Sequence, residues 1–438
     1  MERRCKALRR RENLLMSKST KTLTQIGLLL GSIIAAMSAS EDHWVEAWAA
    51  PPDQAGPPLE PQTLRQIIRT SVGGSSVRIR LSNLFGSAAV TIGPVHIAAH
   101  ASGSAIRPET DHVVTFDGKS VVTIPKGTDA LSDPVNFPVT ALEELAISLY
   151  LPRNTATSTL HGVGMQTVFI TKKRDATAAT EFSVGPSDDS RYFLTDVEVI
   201  AEARTLVIVG DSTSDGVGSR LDHNTRWPDA LASRLQADPK LSSIAVVNSG
   251  IAGNRILNDG AEPFIGPSML SRFDRDALSK PGVSCILLSA GSNDISAADA
   301  LATPKDKVSA QQVIDGMKAL IARAHERGVE IWGATLLPLD GAKAPFSSAA
   351  GEEKRELVNA WIRTSGAFDA VIDFNRMTRD PAHPTHLLPA FDSGDHVHPN
   401  EAGYRAMAAS IDSALLMRIN PVGSRRRQLV STGQVPNI

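Results

Sequence analysis

The sequence predicts an α/β fold: a parallel sheet covered by helices on both faces, preceded by a smaller β-sandwich of jelly-roll-like character. Two observations carry this expectation. From about Trp44 to Glu202, short stretches alternate apolar and polar residues and are punctuated by Gly, Pro, Asp and Asn. After Ala203, continuous apolar runs alternate with amphipathic helical stretches, which is the pattern of strands buried on both faces. At 438 residues the chain is long enough for two such domains, 44–202 and 203–418, each with its own core.

Ahead of them, residues 1–40 read as a leader. Basic Lys18 and Lys21 precede the apolar run Ile26 to Met37, and small residues Ser38 to Ser40 follow, which is the grammar of a signal peptide. The run is too short to cross a bilayer comfortably, so a secreted or periplasmic protein is expected, with Met1 or Met16 as the start. Hydrophobic content of 42%, charged content of 21% and a net charge of −2 fit a soluble globular protein and give no reason to expect nucleic acid as a partner. The two cysteines, Cys5 in the leader and Cys285 in an apolar strand, leave a mature chain with neither an internal disulfide nor a cysteine metal cluster.

The strand-rich part is announced by "SSVRIRLSNLF", where Val77, Ile79 and Leu81 alternate with Arg78, Arg80 and Ser82; "KSVVTIP" and "LAISLYLP" continue the pattern. In the second part, strands are expected at 205–210, 244–250, 284–291, 329–337 and 370–374, and helices at "WPDALASRLQAD", "SAQQVIDGMKALIARAHERG" and "GEEKRELVNAWIRTSGAF". The segment 419–438 has no periodic apolar pattern and reads as a disordered tail.

Functional residues of a parallel sheet sit just past the carboxyl ends of its strands. Four polar, Gly-rich segments fall there: Gly210-Asp211-Ser212, then "GIAGN" at 250–254, then "GSND" at 291–294, and finally "FDSGDHVHPN" at 391–400. A serine hydroxyl needs a base to take its proton and a third group to hold that base. Asp395 and His398, three apart, supply such a pair for Ser212, with His396 as the rival imidazole. The backbone N–H of Ser212, the N–H of Gly253 and the side-chain amide of Asn293 are candidate donors to the negative charge that develops in acyl transfer. Asn254 beside Gly253 and His161 in the strand-rich part are weaker candidates for contact with substrate. The simpler reading of Gly-Asp-Ser is a helix cap, and of Asn400 the cap of the following helix.

Two other functions stay open on these residues. A metal-dependent phosphoesterase could use the Asp, Asn and His of the same rims, although histidine occurs only on the last one. A non-catalytic carbohydrate-binding protein would use the strand-rich part to hold glycan. Neither a metal nor any other cofactor is needed for the esterase reading.

Taken in order, Gly210-Asp211-Ser212 with Gly216, Gly253, Gly291-x-Asn293-Asp294 and Asp395-x-x-His398-Pro399 resemble the four blocks of the SGNH (GDSL) hydrolase superfamily over about Arg204 to Met417. The resemblance implies a three-layer α/β/α fold and a serine esterase with a Ser212, Asp395, His398 triad and an oxyanion hole of Ser212, Gly253 and Asn293. "WVEAWAAPP", "SNLFG", "RWPDAL", "GATLLP" and "DSGDHVHPN" resemble its XynE-like branch of arylesterases and acylhydrolases, which implies short acyl groups on carbohydrate or aryl alcohols as substrate. The chain departs from the usual pattern in having His396 where Gly more often follows the Asp, and Thr213 and Ser214 where larger residues are common.

Overall fold

The computed structural model describes residues 43–419 except 183, 184, 186, 261, 301–305, 344 and 345. The leader expected over 1–40 lies outside these residues, as does the expected tail beyond its first residue. That residue, Ile419, is buried, and its carbonyl accepts a hydrogen bond from the Arg204 guanidinium.

In the second part, five parallel strands form one sheet: Arg204–Gly210, Ile244–Gly250, Val283–Ser289, Glu330–Ala334 and Ala370–Ile372. Their spatial order is second, first, third, fourth, fifth. From the first strand the chain therefore goes to one side for the second and returns to the other side for the third. Loops leaving the three strands diverge at this switch point, and a crevice opens there. The register keeps the strand ends level, with Gly210 opposite Gly250 on one side and Ser289 on the other.

Alternation along the first strand feeds both faces of the sheet. Val207 and Val209 pack with helices Ala310–Glu326 and Ala349–Thr364, while Leu206 and Ile208 pack with Trp227–Gln236 and Glu401–Ser410. Two of these helices carry local caps, and the helix expected from Gly351 begins two residues earlier, at Ala349, because Ser348 caps it. Ser309 and Gln312 form a capping box, and Asn400 accepts the Ala402 and Gly403 N–H groups.

The N-terminal part is mostly antiparallel strand. A four-stranded sheet includes Trp44–Ala49, Leu194–Ile200 and Val77–Ser82, and a six-stranded sheet is centred on Gln62–Arg69, Glu144–Leu151 and Val95–Ser102. The inward residues of both sheets, among them Val77, Ile79 and Leu81, share one hydrophobic core. This part is joined to the parallel sheet through the backbone as well as through packing. The Glu46 N–H donates to Pro281 O at 3.0 Å, and the Val246 N–H donates to Ser71 Oγ at 3.1 Å.

Candidate active site

Ser212 opens a four-residue helix, Ser212–Asp215, immediately after the first strand. Asp211 caps it, accepting the Thr213 N–H at 3.1 Å, so the helix-cap reading of Gly-Asp-Ser holds for Asp211. The Ser212 N–H, at the first helical position, has no partner inside the turn. Small residues bring this turn down onto the sheet. A Cβ on Gly210 would lie 2.1 Å from Ser214 Oγ, and one on Gly250 would lie 2.5 Å from the Asp215 nitrogen.

The long loop after the fifth strand brings back the imidazole. His398 Nε2 lies 2.8 Å from Ser212 Oγ, and His398 Nδ1 lies 2.6 Å from Asp395 Oδ2. A carboxylate only accepts, so Nδ1 carries the proton and Nε2 is left to accept from the serine hydroxyl. Burial pushes the Asp395 carboxyl up, but the His398 ring and the N–H groups of His398 and Val397 outweigh it and bring it down to about 2. His396 is paired with a different carboxylate. Its Nδ1 pairs with Asp392 Oδ2 at 2.5 Å, and its backbone sits at φ 63°.

The other two rims close on Ser212 from either side. Gly253 turns at φ 73°, where a Cβ would lie 3.2 Å from Ile265. Asn293 donates one amide hydrogen to Asn254 O at 3.0 Å, which keeps its second hydrogen for another acceptor. Ser212, Gly253, Asn293 and His398 all line one cavity of about 740 Å³, whose apolar wall includes Ile265, Leu336 and Leu337.

Two weaker expectations are corrected. The Asn254 side chain is wholly buried, donating to Ile265 O and Pro267 O and accepting from Arg272 Nε, so it has no group left for substrate and does not line the cavity. His161 is also buried away from the cavity, with its ring nitrogens against Pro51 O, Val163 O and Asp215 Oδ1.

Two supporting residues have structural roles that the sequence does not assign. The Arg272 guanidinium donates to Gly210 O at 3.3 Å and Ser249 O at 2.9 Å while pairing with Asp276 at 3.1 Å, so it ties two strand ends together from below. Asp294 accepts the Ile256 and Leu257 N–H groups at 2.8 and 3.0 Å and so anchors the loop beyond Gly253. Burial raises its carboxyl to about 6 and that of Asp211 to about 7. The "GSND" block signals Asp294 by position, whereas nothing local marks Arg272.

A serine whose proton can pass to an oriented imidazole, facing amide donors across a cavity, can carry out acyl transfer. Among the described residues, no group of three or more His, Cys, Asp or Glu side chains is arranged to hold a metal. No helix among them is long and apolar enough to cross a membrane.

Residues 208–406 match the model of the GDSL-like lipase/acylhydrolase family. No curated protein matches the chain. Among solved structures it is similar to an acetylxylan esterase from Geobacillus stearothermophilus, with 20% identity over 50% of this chain and 97% of the other and a TM-score of 0.37. It is also similar to a GDSL-like lipase from Bacteroides thetaiotaomicron, with 19% identity over 48% and 87% and a TM-score of 0.34. A third is a carbohydrate acetylesterase family member from Sinorhizobium meliloti, with 19% identity over 49% and 98% and a TM-score of 0.39. The chain thus carries, over residues 208–406, a GDSL-like lipase/acylhydrolase domain, that of a carboxylic-ester hydrolase.

Proposed function

We propose that the chain is an exported serine esterase in which Ser212 is the nucleophile, His398 the general base and Asp395 the group that orients it. The observation that carries this is the unbroken hydrogen-bonded line from Ser212 Oγ through His398 to Asp395, at 2.8 and 2.6 Å, with Ser212 and His398 on the wall of the cavity. Ser212 Oγ attacks the ester carbonyl carbon as His398 Nε2 takes its proton. The resulting oxyanion is met by the Ser212 and Gly253 N–H groups and the free Asn293 amide hydrogen, each such donor being worth about 2.7–4 kcal/mol. Collapse expels the alcohol, protonated by His398. Water, deprotonated by the same imidazole, then attacks the acyl-serine carbonyl and releases the acid.

Within the family we infer the XynE-like branch, on the motifs quoted above, and with it short acyl groups on carbohydrate or aryl alcohols. Export, to the periplasm or beyond, rests on the signal-peptide grammar of residues 1–40. Hydrolysis of p-nitrophenyl acetate by the wild type and by Ser212→Ala, each with and without a chelator, tests the reading. Activity that survives the chelator and disappears with Ser212→Ala is expected. A chelator-sensitive rate, or one that Ser212→Ala retains, overturns it. Comparison of acetyl, butyryl and octanoyl esters, and of acetylated xylan, then tests the substrate class.

A further inference from the structure

The acidic residue that ends the Ser212 turn has a partner from outside the parallel-sheet part. Asp215 is buried, and its two oxygens do different things: Oδ2 accepts the Ala252 N–H at 2.7 Å, and Oδ1 lies 3.1 Å from His161 Nε2. Ala252 immediately precedes Gly253, so the bond to Oδ2 fixes the turn that presents the Gly253 N–H.

The protonation of His161 follows from its neighbours. Nδ1 faces Pro51 O at 2.9 Å, and Nε2 faces Asp215 Oδ1 and Val163 O, each at 3.1 Å. All three are acceptors only, so both ring nitrogens must carry hydrogen and the ring is an imidazolium. The charged groups around it are Asp53, 3.6 Å from Nδ1, and Asp215, which also interacts electrostatically with Arg226 and Arg272. Burial alone would lower the imidazolium pKa, but Asp215 and Asp53 overcome it and raise it to about 9. A second anchor completes the arrangement: Asp53 Oδ2 accepts the Gly162 N–H at 2.7 Å and so holds the strand end that bears His161.

We propose that His161 is a positioning residue for the reaction at Ser212: as an imidazolium delivered by the strand-rich part, it holds Asp215 and, through Asp215, the Ala252–Gly253 turn that receives the oxyanion. This rests on the serine-esterase reading. His161 touches neither substrate nor the reacting atoms, so its loss should weaken transition-state binding and leave ground-state binding largely intact.

The test compares the wild type, His161→Gln, Asp215→Asn and the double variant on p-nitrophenyl acetate. A trifluoromethyl ketone serves as a reversible mimic of the tetrahedral adduct, and Ser212→Ala controls for the underlying reading. Displacement of the oxyanion donor predicts a kcat lower by about a hundredfold with KM little changed. Ketone affinity should fall in parallel, and the double variant should be no worse than the worse single one. If His161→Gln does not fold, the wild type decides: kcat and ketone affinity should fall together above about pH 9 while near-UV circular dichroism is unchanged. A folded His161→Gln with wild-type kcat, or a wild-type profile that stays flat through that range, overturns the proposal. If Ser212→Ala keeps its rate, it is the esterase reading that fails.

Discussion

Gly218 and His398 pack against each other across the rim: a Cβ on Gly218 would lie 3.3 Å from the His398 Cβ and 2.7 Å from the Pro399 carbonyl oxygen. The loop that carries the imidazole rests on bare backbone two residues after Gly216. Gly218→Ala must also hold φ near 87°, which costs a side chain about 1–3 kcal/mol. Both Tm and kcat should fall, kcat by about tenfold or more if the imidazole moves by a few tenths of an ångström. Thermal unfolding and steady-state kinetics on the variant check this, and an unchanged kcat would mean that the strain is taken up away from His398.

Asp395→Asn should lower kcat by up to about 10⁴-fold, because the amide can no longer select the tautomer that accepts from Ser212. Since the Asp395 carboxyl lies at about 2, below its usual 3.8, its contribution to stability is present above 3.8 and is lost only as the pH falls through about 2. An acid limb of kcat/KM that lies above about pH 4 must therefore belong to another group. By contrast, His396→Asn should cost less than about tenfold, because Asn tolerates the positive φ and the ring bonds only to the Asp392 side chain. Kinetics of the two variants side by side settle which imidazole acts.

Asp211 and Asp294 shift the other way. Burial raises both carboxyls above 3.8, so the folded chain binds protons more tightly than the unfolded one. Their contribution to stability is complete below 3.8 and is lost as the pH rises through about 6 for Asp294 and about 7 for Asp211. Asp211→Asn retains an acceptor for the Thr213 N–H and removes the upper part of this slope. Tm of the variant should therefore depend less on pH between about 5 and 8 than that of the wild type, as thermal melts across that range would show.

Arg272→Met should destabilise the fold by about 3–5 kcal/mol, because it leaves Asp276 buried without one of its partners and frees the carbonyls of Gly210 and Ser249. Denaturant unfolding measures this. A loss smaller than about 1 kcal/mol would mean that Arg275, which also pairs with Asp276, carries that charge alone.

The parts of this site that were legible in the sequence are those whose chemistry is local. Gly210-Asp211-Ser212, Gly253 and Asn293 each follow closely on a strand end, the Asp395–His398 pair is a short local motif on the long loop after the fifth strand, and the order of the blocks is enough to align them. Alternation gave the strand of Val77, Ile79 and Leu81, and continuous apolar runs gave the parallel strands. What escaped depends on register and distance along the chain. Nothing near Arg272 says that it will reach Gly210 O, and the level ends of Gly210, Gly250 and Ser289 follow from pairing alone. Asn254 looked available because its three partners, Ile265, Pro267 and Arg272, come from farther along. His161 looked like a candidate for substrate because Asp215 is 54 positions away.

The bond from the Glu46 N–H to Pro281 O has a kinetic side as well. As the chain leaves the ribosome, the strand Trp44–Ala49 emerges long before its ladder partner Leu194–Ile200, and longer still before Pro281 closes the far edge. Val45 and Ala47, fully covered in the finished molecule, stay uncovered while most of the polypeptide is made. Contacts so far apart in sequence make for slow folding and a lasting exposure of strand edges to aggregation, so yield in a cell should rise at lower growth temperature or with more chaperone even where the final stability is ample.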